Sequence, residues 1–187
     1  MMKLAKFSCI FIALAFLAAA QDIPGTSDVP DAKAPKVSMV PPPVATVTRG
    51  KANPVPLRFR VQPGFHINSN TPTFPYLKPT LLMVDAQTDI VVGKVTYPTG
   101  EMMSFAFAPD EKLSVYAGVF DVSVSIRPLA SVLPAKYAFR GRLKYQACDN
   151  AQCYPPKELP VQFEVKVVKA PVTKHRGGSP QSPHIHN

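Results

Sequence analysis

Val161-Gln162-Phe163-Glu164-Val165-Lys166-Val167 places an apolar side chain at every second position and a polar one between. Successive side chains of a β-strand point to opposite faces, so this is the pattern of a strand with one face buried and the other in water. Leu57, Phe59 and Val61, alternating with Arg58, Arg60 and Gln62, repeat it a hundred residues earlier. Further β-rich runs cover Val44–Thr48, Thr80–Ala86, Ile90–Tyr97, Leu113–Ile126 and Tyr137–Ala147. Turn chemistry separates them, as in Pro63-Gly64, Ala86-Gln87-Thr88-Asp89 and Pro109-Asp110.

No stretch beyond the amino-terminal segment carries a helical stripe, and 22 prolines in 187 residues work against helices. About seven short strands joined by polar turns predict an all-β chain, an immunoglobulin-like antiparallel β-sandwich, with a closed barrel as the alternative. The sequence contains no internal repeat.

The ends read differently. Lys3 and Lys6 precede an apolar stretch from Phe7 to Leu17, followed by Ala18-Ala19-Ala20 and the polar Gln21-Asp22. Basic, then apolar, then small is the order of a secretory signal peptide, so residues 1–20 are expected to be removed after Ala20 and the product to be periplasmic or secreted. The apolar stretch is about half of the roughly 20 residues that span a bilayer, and no transmembrane segment is expected. Cys9 lies inside that stretch and leaves with it. Residues 21–43, with Pro41-Pro42-Pro43, read as a proline-rich linker. Residues 44–169 read as one domain, and 170–187 as a disordered tail holding His175, His184 and His186, because its composition offers little to bury.

Without Lys3 and Lys6 the 21 basic residues become 19, against 12 acidic, a net charge of +7. The basic residues are scattered singly along alternating strands and no nucleic-acid-binding signature occurs, so the charge reads as a solvated surface and no nucleic-acid partner is expected. A CxxC pair, a glycine-rich phosphate loop, a GxSxG elbow and an HExxH helix are all absent. No cofactor is expected. The tail histidines, with Met102 and Met103, are metal-ligating types but lack fixed partners, so no dedicated metal site is expected.

The chemistry-bearing segment is Lys144-Tyr145-Gln146-Ala147-Cys148-Asp149-Asn150-Ala151-Gln152-Cys153-Tyr154-Pro155-Pro156. A strand arrives at Cys148, a polar turn follows, and two prolines after Cys153 end central pairing. Four intervening residues allow the α-carbons to approach to the roughly 5.5 Å a disulfide uses, in the oxidising compartment an export signal implies. A structural staple is one reading. A ring this small restrains the unfolded chain by only about 2 kcal/mol, against nearly 5 for a hundred-residue loop, which favours a bond made and broken in use.

The segment resembles the amino-terminal periplasmic domain of DsbD-type thiol:disulfide interchange proteins, here without their membrane and thioredoxin-like domains. Tyr145-Gln146-x-Cys148 followed by Cys153-Tyr154-Pro155-Pro156 carries the resemblance, with Gly64-Phe65-His66-Ile67-Asn68 as the strand beside the pair. The resemblance implies an immunoglobulin-like domain that takes electrons from a membrane-embedded thiol reductant. It passes them through Cys148 and Cys153 to thioredoxin-like or disulfide isomerase proteins, and Cys153 is the sulfur that forms the mixed disulfide. The family's best-known form has one more residue between its cysteines and flanks them with acidic and tyrosine residues, where this chain has His66 and Asn68. It shields its pair with an aromatic from a cap loop. The corresponding stretch here is Thr99–Lys112, with Phe105 and Phe107 as shielding candidates or, since they alternate with Ala106, as core residues of a strand. His66 is a candidate for tuning a thiol pKa. The competing function is a non-catalytic exported β-sandwich binding module with a structural disulfide.

Overall fold

Residues 36–171 are described in a computed structural model, so the signal peptide with its cleavage point, most of the linker, and the tail histidines lie outside the described residues. The described residues form twelve strands: β1 (Val37–Met39), β2 (Ala45–Thr48), β3 (Asn53–Val61), β4 (His66–Asn68), β5 (Leu81–Val84), β6 (Ile90–Thr96), β7 (Glu101–Phe105), β8 (Ala108–Ala117), β9 (Val119–Pro128), β10 (Lys136–Tyr145), β11 (Ala147–Cys148) and β12 (Lys157–Val168). Among the described residues no helix is long and apolar enough to cross a membrane.

The strands form three four-stranded sheets, ordered β1-β3-β9-β6, β2-β12-β10-β5 and β11-β4-β8-β7. The first two supply the core. Val55, Leu57, Phe59 and Val61 of β3 join Val122, Val124 and Ile126 of β9, and meet Phe139 and Leu143 of β10 and Val161, Phe163, Val165 and Val167 of β12 in one buried cluster. Phe59 stacks on Phe120 at 5.5 Å and Phe139 on Phe163 at 5.1 Å. Each such side chain contributes about 1.5–3 kcal/mol through burial, so the alternating pattern is what holds the sandwich closed. The fold is all-β and immunoglobulin-like.

Three features depart from the sequence reading. The pairing is not wholly antiparallel, since β2 runs parallel to β12 with Ala45 opposite Val165 and Thr48 opposite Val168. The fold begins before residue 44: β1 lies inside the stretch read as linker, pairs with β3 from Val37↔Val61 to Met39↔Phe59, and buries Val37. The run Leu113–Ile126 is two strands, divided at Gly118, whose φ of 60° is a left-handed conformation that glycine adopts without steric cost. Pro54 and Pro56 are tolerated in β3 because β1 covers only residues 59–61, leaving their side of the strand without a ladder partner.

Candidate functional site

The cysteine pair sits where the chain changes sheets. β10 stays paired with β12 as far as Tyr145↔Lys157, and after Gln146 the chain crosses into the small sheet, where Ala147 lies opposite Ile67 and Cys148 opposite His66. Gln146 holds the crossing. Its Oε1 accepts from Asn68 Nδ2 at 3.3 Å and from the Lys78 amide at 3.4 Å, while its Nε2 donates to the Tyr154 carbonyl at 3.2 Å.

Cys148 and Cys153 are disulfide-bonded, with α-carbons 3.9 Å apart, nearer than the separation expected from the sequence. The two residues face one another as an isolated antiparallel bridge, which brings their backbones close. They differ in access: Cys148 is 1% exposed, whereas Cys153 is exposed.

Asp149 organises the turn between them. Its Oδ1 accepts from the amides of Ala151 at 2.7 Å and Gln152 at 2.8 Å, and its Oδ2 from the Tyr154 hydroxyl at 2.6 Å. The Tyr154 hydrogen bond, then those two amides, hold the Asp149 carboxyl below the usual carboxylate range. The same contact pushes the Tyr154 phenol up. Tyr154 also closes the turn through its amide, which donates to the Ala147 carbonyl at 2.8 Å, and its ring lies 5.8 Å from that of Phe65. Phe65 follows Gly64, whose φ of 81° lets the chain reverse into β4.

His66 is buried on β4, with its Nε2 lacking any hydrogen-bond partner. Burial lowers its pKa to about 4, against a small opposing pull from Asp149. At neutral pH the ring is therefore uncharged and supplies no positive charge to lower a neighbouring thiol's pKa.

The stretch read as a cap loop is a hairpin made of β7 and the start of β8, turning at Ala106-Phe107. Phe105 stacks on His66 at 3.7 Å, and the Phe107 ring lies beside this pair and parallel to it, 5.6 Å from Phe105 and 6.4 Å from His66. The tip touches the cysteine turn, the Ala106 amide donating to Asn150 Oδ1 at 3.3 Å. The two phenylalanines differ in setting. Phe105 is buried in a small cluster with Leu77, Leu113 and Val115, whereas Phe107 is 38% exposed. Phe107 lines a cleft of about 350 Å³ with Tyr76, Leu77, Leu113, Gln146 and Cys153. The hairpin thus lies against both His66 and the turn that carries the disulfide.

Sequence reasoning assigned no role to Asp149 or Asn150. The available signal was an Asp-Asn pair in a short turn, where such side chains bond backbone amides two or three residues on.

A family model described as "Thiol:disulfide interchange protein DsbD, N-terminal" matches residues 36–164. Among solved structures, the DsbD amino-terminal domain of Neisseria meningitidis in its reduced form is 20% identical, covering 59% of this chain and 74% of its own, with a TM-score of 0.37. A PapD-like domain of human CEP192 is 12% identical over 86% of this chain and 99% of its own, TM-score 0.34. AggA, the major subunit of aggregative adherence fimbriae type I from Escherichia coli, is 13% identical over 71% and 93%, TM-score 0.28. No curated protein matches the chain. With the family match spanning well over half of its 187 residues, including both cysteines, the chain belongs to the family of the DsbD amino-terminal domain, a family of thiol:disulfide interchange proteins.

Proposed function

We propose that this protein is an extracytoplasmic electron carrier whose Cys148–Cys153 pair cycles between dithiol and disulfide. A membrane-embedded thiol reductant is the donor, and thioredoxin-like or disulfide isomerase proteins are the acceptors. The observation that carries the reading is the asymmetry of the pair: one sulfur is exposed beside a cleft and the other is buried behind it. In the reduced protein the Cys153 thiolate attacks a partner disulfide, forming the mixed disulfide and releasing one partner thiolate. Cys148 then attacks Cys153, restoring the internal disulfide and releasing the second partner thiolate. Two electrons and two protons pass to the partner. Between cycles Phe107, which lines the cleft beside Cys153 and lies parallel to both Phe105 and His66, restricts the approach to that sulfur.

The small ring supports the same reading, because a bond closing so few residues adds little stability. The reduction potential is the deciding measurement. A carrier should equilibrate with glutathione at a potential above about −300 mV, whereas a structural staple lies below it. Export with cleavage after Ala20 belongs to the proposal and is checked by the intact mass of the secreted protein; a product retaining Cys9 overturns it.

A further inference from the structure

His66 and Cys148 occupy directly opposed positions on β4 and β11. Opposed residues of an antiparallel pair project to the same face with Cβ atoms about 4.5–5.5 Å apart, so the two side chains leave the backbone side by side. Both are sealed from water, at 3% and 1% exposure. In the disulfide state the sulfur of Cys148 has no hydrogen to offer, and His66 Nε2 has no hydrogen-bond partner. Reduction changes one side of that pair. Two electrons and two protons from a dithiol donor, which leaves as a disulfide, convert Cys148 and Cys153 into thiols, and Cys148 acquires a buried S–H.

We propose that His66 is a positioning residue whose Nε2 accepts the hydrogen bond of the Cys148 thiol in the reduced protein, so that this one contact is absent when the pair is oxidised and formed when it is reduced. A neutral ring with its proton on Nδ1 presents a lone pair at Nε2, and burial keeps the ring neutral. The oxidised protein carries the cost of a buried polar atom left unmade, and the reduced protein is relieved of it, which favours reduction. The contact also holds Cys148 as a thiol behind Cys153 until a mixed disulfide calls for it. The other buried side-chain atom without a partner among the described residues, Asn68 Oδ1, stands elsewhere: the Asn68 amide bonds the Gln146 carbonyl, two residues before Cys148.

This inference extends the redox-carrier reading, and its test is arranged so that the two can fail separately. The first arm uses the unaltered protein with nitrogen-15 in its histidines. An excess of a phosphine reductant produces the dithiol whether or not the pair works as a carrier in the cell. The His66 Nε2 resonance should move upfield on reduction, as a lone-pair nitrogen does when it accepts a hydrogen bond, and an unmoved resonance overturns the proposal. The second arm compares His66→Phe, which keeps an aromatic ring on Phe105 and removes the acceptor, with His66→Gln, which restores an acceptor. The equilibrium constant for reduction by glutathione should fall about tenfold in His66→Phe, about 30 mV, with partial recovery in His66→Gln. An unchanged constant in a folded His66→Phe also overturns it. A pair that glutathione never reduces, alongside a shifted Nε2 resonance, would sink the carrier reading and leave the hydrogen bond standing.

Discussion

The hydroxyl of Tyr154 donates to the carboxylate of Asp149 at 2.6 Å, tying the residue after the second cysteine to the residue after the first. With the two amide bonds to Oδ1, the turn holds its shape by means other than the disulfide it carries. A redox pair needs this: the dithiol form must keep its sulfurs close for the internal bond to re-form.

Acid should therefore loosen the turn. The Asp149 carboxyl is held below its usual value of 3.8, so its ionised form contributes stability that is fully present above that value and is lost as the pH falls through the lower folded value. The residue is only partly buried, so solvent screening limits the effect to under about 1 kcal/mol. Asp149→Asn should flatten the acid limb of the melting curve of the reduced protein below about pH 4. An acid limb identical to that of the unaltered protein would count against this role for Asp149.

Phe105 and Phe107 should separate under substitution. Phe105 packs among Leu77, Leu113 and Val115 at 8% exposure, so Phe105→Ala should cost about 3–5 kcal/mol in denaturant unfolding. Phe107 is 38% exposed beside Cys153, so Phe107→Ala should cost well under that and instead speed reduction of the disulfide by a small thiol. Equal reduction rates for Phe107→Ala and the unaltered protein would remove Phe107 from the shielding role.

The hairpin of β7 and β8 is preceded by Gly100, and a β-carbon there would collide with Ser114 Oγ and lie 2.8 Å from Ser69 Cβ. Those serines are buried and bonded to each other at 2.8 Å between hydroxyls, so neither yields freely. Gly100→Ala should displace β7 from β8, shift Phe105 off His66 and expose the turn, giving faster thiol reduction with a lower melting temperature. A double variant with Ser114→Ala, which removes the nearest atom, should recover part of both. Failure of the second change to recover either would place the effect elsewhere.

What the sequence made legible follows from which properties are local. Alternation in Leu57–Val61 and Val161–Val167 located β3 and β12 because each has one face in water, and burial follows that alternation residue by residue. β7 has no such signature, since Glu101, Met102, Met103 and Ser104 are all exposed, and a strand without a buried face reads as a loop. β1 is only three residues long, in a sequence context rich in proline, and acquires its order from β3. The parallel pairing of β2 with β12 depends on chain direction, which no single strand records. At the site, the cysteine spacing identified the two residues that are disulfide-bonded. Asp149 and Asn150 were missed because all but one of their partners, the Tyr154 hydroxyl, are backbone amides, and most turns hold such residues without consequence. His66 was visible as a histidine after a glycine-aromatic turn. Its burial opposite Cys148 is a tertiary fact.

The order of attack is the remaining expectation. Cys153 is exposed beside the Phe107 cleft, and Pro155 and Pro156 follow it, so that no strand pairs over its outer side before Lys157. Cys148 is 1% exposed and sits in β11, covered on the His66 side. A partner sulfur approaching in line with the disulfide meets Cys153 and not Cys148, and the same access governs attack in the reverse direction. Cys148→Ser, mixed with an oxidised thioredoxin-like isomerase and run on a non-reducing gel, should accumulate a covalent complex, because Cys153 attacks and no thiol remains to resolve the bond. Cys153→Ser should accumulate little, its surviving thiol being buried. The yield from Cys148→Ser should rise with pH, because attack requires the Cys153 thiolate. Complex formation mainly from Cys153→Ser would reverse the two roles, and none from either variant would return the bond to the status of a staple.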